Sequence, residues 1–263
     1  TIQVNATRFQ TIVHRTKTKD GRWSAPQVAT FAGQYSHLEP AFSRDGKKLF
    51  FSSNRPLNGD KAKDFDIWVI EKEEGGWGQP ENIGAPVNTD KDEFFPSIAQ
   101  NGNLYFTATR KNGIGREDIF MARWENDHYA EPQPLDSAIN SALYEFNAYV
   151  SPDERFIFFT SYGRAGEKGG GDLYLSTKDA DGRWQPAKNC VMLNSEKIDY
   201  CPFVSFDKKT LFFTSERHNL TTTFPAKPVT YQQLQNIPVS VLNGSGNIYA
   251  VPFAEVLEVL SGK

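Results

Sequence analysis

LFFSS (49–53), LYFTA (104–108), IFFTS (157–161) and LFFTS (211–215) begin 55, 53 and 54 residues apart in a chain of 263 residues. Aromatic side chains beside branched and small hydroxyl ones suit a pleated surface, so each segment reads as a buried strand. A second apolar segment with an acidic head precedes each one: EPAFSRDGK (39–47), EFFPSIAQNG (93–102), EFNAYVSPDE (145–154) and DYCPFVSFDK (199–208). Asp45-Gly46, Asn101-Gly102, Pro152-Asp153 and Asp207-Lys208 join the two as hairpins, because these residue types accept tight or left-handed backbone. A polar loop then leads to a third strand, DIWVI (66–70), DIFMA (118–122), DLYLS (172–176) or NIYAV (247–251). In three repeats a fourth element follows, marked by Trp77 and Pro80, Tyr129 and Pro132, or Trp184 and Pro186. A proline would leave a gap in a central ladder, which places this strand outermost.

Measured between Glu39, Glu93, Glu145 and Asp199, the four-stranded unit repeats at 52 to 54 residues. The N-terminal stretch enters the template late, with TIQVNA (1–6) expected as a second strand, TIVHR (11–15) as a third and Trp23 to Pro26 in a fourth. The units are 1–35 (partial), 36–90, 91–142, 143–196 and 197–263, within a single domain. A sheet with aromatic residues on both faces cannot stand alone in water, so consecutive units stack face to face. An all-β, five-bladed propeller of antiparallel blades is the expected fold, with six blades or a β-sandwich as alternatives. Twenty Phe, ten Tyr and five Trp against two Met fit that class. AEVLEVLSGK (254–263) carries Val256, Leu257 and Leu260 at helical spacing and is expected to form a short helix under the last blade. The last unit lacks an outer strand and the first an inner one. Closure is therefore expected to rest on residues before Thr1, on pairing of the termini, or on an incomplete blade.

VSPDERFIFFTS (150–161) with DLYLS, and AFSRDGKKLFFSS (41–53) with DIWVI, resemble the WD-repeat-like β-propeller repeat of the TolB type, whose consensus sets a Ser-Pro-Asp-Gly turn before a hydrophobic strand and then Asp-Ile-Tyr. SIAQNGNLYFTA and VSFDKKTLFFTS depart from that turn and keep the strands. The likeness covers residues 36 to 252 strongly and the first 35 weakly. SNRPLNGDKAKDFDIW, WGQPENIGAPVNTDKDEFFPS and NGSGNIYAV are also similar to elements of exported bacterial propeller proteins of about this size. This resemblance implies a periplasmic or secreted protein and supplies no catalytic residues.

Formal charge is −3 and the isoelectric point about 5.9, with Lys and Arg scattered, which argues against nucleic acid as a partner. No apolar run reaches the length of a membrane helix. In a propeller the first strand of each blade lines the channel, so Glu39, Glu93, Glu145 and Asp199 are expected around one mouth. An amide precedes each by five residues (Gln34, Asn88, Asn140, Asn194), and Arg55, Arg110, Arg164 and Arg217 follow the second strands, placed to neutralise the carboxylates. Such pairs serve either as clasps between blades or as a polar funnel for a small polar ligand, a saccharide, a peptide end or a protein partner. His37, two residues before Glu39, joins the candidate mouth.

A carbohydrate-active hydrolase or lyase using funnel carboxylates is the alternative, but an acid and a base need unlike surroundings and the repeated acids share theirs. His14, His37, His128 and His218 make no HxH or HExxH pair, and neither metal nor cofactor is expected. GEKGGGD (166–172) lacks the rest of a phosphate loop. Asp66, Asp118, Asp172 and Asn247, with Thr11 in the matching place, are expected to cap the loop before each third strand. Cys190 and Cys201 are expected reduced and buried. The segment 218–246 breaks the repeat and is a second place for a partner. Within it Thr230 and Gln233 form a capping box for a helical turn over Tyr231 to Asn236.

Overall fold

The computed structural model describes residues 2–4, 7–220, 228, 230–236 and 240–261. Four antiparallel sheets follow one another along the chain. The first comprises His37–Phe42, Lys48–Ser53, Asp66–Glu73 and Glu81–Asn82. The second comprises Glu93–Ile98, Leu104–Ala108, Asp118–Ala122 and Gln133–Pro134. Tyr144–Val150, Phe156–Tyr162, Asp172–Thr177 and Lys188–Asn189 make the third, and Asp199–Val204, Thr210–Ser215 and Asn247–Pro252 the fourth. The arrangement is that of propeller blades: the fold is all-β with two short helices.

The outermost strands start one or two residues after the prolines, as an edge position requires. The aromatic markers lie just ahead of them, in small outer pairings: Gly76–Trp77 against Lys72 and Glu73, His128–Tyr129 against Trp124–Glu125, and Trp184 bridged to Lys178. The inner hairpins turn at Gly46, Gly102, Glu154 and Lys208, each with positive φ and each donating its N–H to the carbonyl three residues back. Two of the four are not glycine, which costs each about 1 kcal/mol of backbone strain. Their side chains offset it across the blades. Glu154 accepts from Asn101 Nδ2, Asn103 Nδ2 and Tyr105 Oη at 2.7–2.9 Å, and next to Lys208 runs the Lys208 Nζ to Asp153 contact of 3.0 Å.

Hydrophobic cores lie between consecutive units. Leu49, Phe51, Trp68 and Ile70 of the first sheet pack on Ile12, Ala29 and Phe31, so the N-terminal segment stacks as a further wedge. Its pairing differs from expectation. Ile2–Val4 pairs with Thr7–Phe9, and Val13–His14 pairs with Gln27–Val28, so residues 2–4 are partnered by a local hairpin and not by the strand at 13–14. Residues 1, 5 and 6 of the expected strand lie outside the described residues.

The fourth sheet is open on one face. Ile248 is 78% exposed, whereas its repeat-equivalents Ile67, Ile119 and Leu173 are fully buried by the following unit. Helix Phe253–Ser261 follows where the other sheets have an outer strand, and Phe253 and Val256 pack with Phe156, Phe158 and Leu175. Leu257 faces outward, and the side chain of Leu260 lies outside the described residues. Helix Tyr231–Asn236 carries the expected capping box: Gln233 N donates to Thr230 Oγ1 at 3.3 Å and Thr230 N to Gln233 Oε1 at 2.8 Å.

Candidate functional site

Pairing register decides which residues are equivalent. His37 pairs Ser53, Glu93 pairs Ala108, Glu145 pairs Ser161 and Asp199 pairs Ser215. The backbone N–H of each of the four also donates to the carbonyl of Gln10, Phe65, Glu117 or Gly171 in the preceding unit. His37 therefore stands where the three carboxylates stand, and Glu39 lies two residues further on. The expectation that Glu39 belongs with Glu93, Glu145 and Asp199 is corrected, because a spacing of 54 residues there masked a true spacing of 56.

Glu93, Glu145 and Asp199 are fully buried, each held by groups of its own junction. Each accepts from the N–H and hydroxyl of the residue four back, Thr89, Ser141 or Ser195, at 2.6–3.1 Å. Each also meets an arginine, Arg110 at 3.4 Å, Arg164 at 2.9 Å or Arg217 at 2.8 Å. The same guanidinium donates to the carbonyl of Val87, Ile139 or Leu193. It lies over two rings of its blade: Phe106 and Phe120, Phe159 and Tyr174, or Phe213 and Tyr249. Burial raises the Glu93 carboxyl and lowers the Arg110 guanidinium, desolvation opposing both charges. Arginine keeps its proton regardless, so the guanidinium stays a charged donor to Glu93.

Asn88, Asn140 and Asn194 complete these clasps. Each amide accepts from the N–H of Ile67, Ile119 or Leu173 and donates to the same residue's carbonyl, at 2.8–3.1 Å, gripping the third strand of the preceding blade. Gln34 does not share this role; it is exposed, and the register puts Ala32 in the matching place. In the first blade Arg55 has no carboxylate partner. It lies over Trp68 at 5.7 Å beside His37, whose imidazole burial holds below its usual range, the Tyr35 carbonyl opposing and Arg55 assisting. His37 Nδ1 contacts that carbonyl at 2.7 Å, and the ring packs against Phe31 and Phe51.

Asp118 and Asp172 cap the preceding loops as expected, accepting from Ile114 and Gly115 N–H and from Lys168 N–H. Asp66 instead accepts from Lys63 Nζ and Asn82 Nδ2, and Asn247 donates to the carbonyls of Val241 and Ser245.

Two residues beyond the clasp position every inner strand bulges. The register slips between Leu38 and Ala41, Phe94 and Ser97, Phe146 and Tyr149, and Tyr200 and Phe203. At each slip one residue takes positive φ: Glu39, Phe95, Asn147 or Cys201. A bulge re-aims the side chain it carries, and here all four line one axial cavity of about 340 Å³. Pro40, Pro96, Ala148 and Pro202 follow them in its wall.

The four are chemically unlike. Glu39 Oε2 accepts from Phe95 N–H at 2.7 Å and from Ser52 Oγ at 3.1 Å. Burial pushes its carboxyl up to about 8, the two hydrogen bonds pulling against it and Glu117 adding to it. Glu39 is partly exposed and lines the cavity. Asn147 Nδ2 donates to Cys201 Sγ at 3.0 Å, while Asn147 Oδ1 is buried with no partner. Cys201 is a free thiol, partly exposed to the cavity and not buried as expected, and enclosure pushes its thiol up to about 12. Cys190 is free and buried.

Sequence reasoning placed Glu39 at the channel and did not find Phe95, Asn147 and Cys201. A signal existed: each stands in front of Pro, Ala or Pro in register with Glu39-Pro40. Among the described residues no three metal-ligating side chains converge, and no helix is long and apolar enough to cross a membrane.

Solved structures share the architecture. The chain is similar to TolB from Acinetobacter baumannii (TM-score 0.52, 16% identity, 92% of this chain and 46% of that one). It is also similar to a glycoside hydrolase (0.51, 12%, 86% and 74%) and to a chain of the nidogen/laminin complex (0.50, 10%, 79% and 68%). The chain thus spans less than half the length of that TolB. These likenesses show the fold, a β-propeller. No protein-family profile matches the chain, and no curated protein does.

Proposed function

We propose that this protein is a non-catalytic binding module, exported from a bacterial cell, that takes a small organic ligand or the end of a chain-like partner into its axial cavity. The reading rests on one observation: four bulged residues from four blades converge on one cavity with unlike side chains, among them an unpartnered buried Asn147 Oδ1. Strained backbone held at a concave site is where recognition is built. The paired carboxylates Glu93, Glu145 and Asp199, with Arg110, Arg164 and Arg217, act as blade clasps in this reading, since both oxygens of each carboxylate already accept hydrogen bonds within the protein. Arg55 and His37 hold the first blade against the N-terminal segment. That segment serves as a fifth blade within a single domain, stacking on the first sheet through Ile12, Ala29 and Phe31. Export is inferred from the resemblance to TolB-type proteins. Binding is favoured over glycoside hydrolysis because the cavity wall presents one carboxylate, Glu39, where the paired mechanism needs two.

Calorimetric titration with a panel of neutral monosaccharides, disaccharides and dipeptides is the test. Saturable binding lost in Asn147→Ala and Phe95→Ala, with unfolding midpoints unchanged, supports the reading. Turnover of a glycoside that Glu39→Gln abolishes overturns it.

A further inference from the structure

The three clasps share a composition: a carboxylate, a guanidinium, and two aromatic rings beneath the guanidinium. The axial cavity repeats two of these parts. Glu39 supplies a carboxylate, and Phe42, Phe95, Tyr149 and Phe203 supply aromatic surface. No Lys or Arg lines it. Glu39 Oε1 has no hydrogen-bond partner among the described residues, since Phe95 N–H and Ser52 Oγ both bind Oε2. Asn147 Oδ1, on a residue 4% exposed, is a second acceptor without a donor. The titratable groups acting on Glu39 are Glu117 and the Cys201 thiol, and neither supplies positive charge.

We infer that the ligand of the axial cavity is an organic cation bearing an ammonium group, which donates to Glu39 Oε1 and Asn147 Oδ1 and lies against the aromatic walls. The inference rests on the cavity's being a binding site and adds the class of ligand. An anion would meet no Lys or Arg in the cavity wall. A neutral ligand would satisfy Asn147 and leave Glu39 protonated, drawing no charge-assisted bond from it. An ammonium is attracted both to the carboxylate and to the negative ring faces. Because Glu39 holds its proton up to about pH 8 in the free protein, binding of the cation releases that proton, and affinity falls about tenfold for each pH unit below that value.

The probes are benzylammonium, benzyl alcohol and benzoate, titrated calorimetrically into the full chain at pH 6 and pH 8. Two buffers of different ionisation enthalpy count the protons released. Benzylammonium should bind at least tenfold more tightly than benzyl alcohol at pH 8, release close to one proton at pH 6, and lose that advantage in Glu39→Gln. Benzoate should not compete. Equal binding of amine and alcohol, with no proton release, overturns the cation assignment and leaves the cavity as a binding site. Absence of binding by all three probes and by the neutral panel overturns both readings. Should Glu39→Gln fail to fold, proton release by the wild-type chain still decides the matter.

Discussion

Residues 93, 145 and 199 stand two positions from residues 95, 147 and 201 on the same three strands, and the two sets could hardly differ more. The first set is acidic throughout, fully buried, and served by the same hydroxyl, arginine and carbonyl in each blade. The second is Phe, Asn and Cys, joined by Glu39 from the first blade, each on strained backbone and each facing the axial cavity. Where a repeated architecture keeps one chemistry at every copy, the chemistry serves the architecture. Where it keeps the backbone geometry and varies the side chain, the geometry serves something beyond the fold.

Arg164→Met cuts hardest at this contrast. It strands Glu145, fully buried, beside Ser141 and Ser161 alone, and should cost about 3–5 kcal/mol in urea unfolding without altering affinity for a cavity ligand. Arg55→Met, which loses the Trp68 ring and no carboxylate, should cost only about 1 kcal/mol.

Glu39 sets the next effect. Its folded carboxyl titrates at about 8 against an ordinary 4.5, so the native chain keeps a proton that the unfolded chain has released. Stability therefore falls as pH rises between these values and levels off above about 8. Opening onto the cavity screens part of the effect, leaving roughly 2–3 kcal/mol between pH 5 and pH 8, and Glu39→Gln should flatten the profile. Thermal unfolding across that range checks it. The structurally bland alternative, in which Glu39 behaves as an ordinary surface acid, predicts no difference between the two chains.

Asn140→Ala leaves the Ile119 N–H without its partner and takes one of two donors from its C=O, the other being Leu135 N–H, and should cost about 2 kcal/mol, with hydrogen exchange at Ile119 rising in step. Phe95→Gly should be smallest in stability, within about 1 kcal/mol, because relief of left-handed strain offsets the lost ring. Ligand affinity should nonetheless fall. A large loss of stability there would show the bulge side chains to be structural after all.

The strands themselves were plain in the sequence, since LFFSS and its three counterparts carry their burial in their composition. The turn residues were plain too: Gly46 and Gly102 announce left-handed backbone, and Glu154 and Lys208 occupy it at the same offset. The clasp partners could be read as pairs, because Arg110, Arg164 and Arg217 recur with the acids they bind. Equivalence in the first blade was harder. An acid at 39 happens to lie a repeat length before Glu93, and only hydrogen-bond register reveals His37 as the true counterpart. The bulge residues were hidden for the opposite reason. Phe95, Asn147 and Cys201 share no chemistry, so nothing in composition links them until backbone geometry does. At the N-terminus the short spacing between Val4 and Thr7 closed a local hairpin in place of the longer pairing expected from the template.

The asparagine grips have a further consequence, for biosynthesis. Asn88, Asn140 and Asn194 each reach back from the approach to one sheet to seal the sheet before it. A chain emerging from its N-terminus therefore leaves each of the first three sheets with an unsealed rim until the residues leading into the next one have appeared. Maturation must lag synthesis by part of a repeat, and a chain whose asparagine is still inside the ribosome's exit tunnel holds out a nearly finished sheet that a chaperone or a protease can enter.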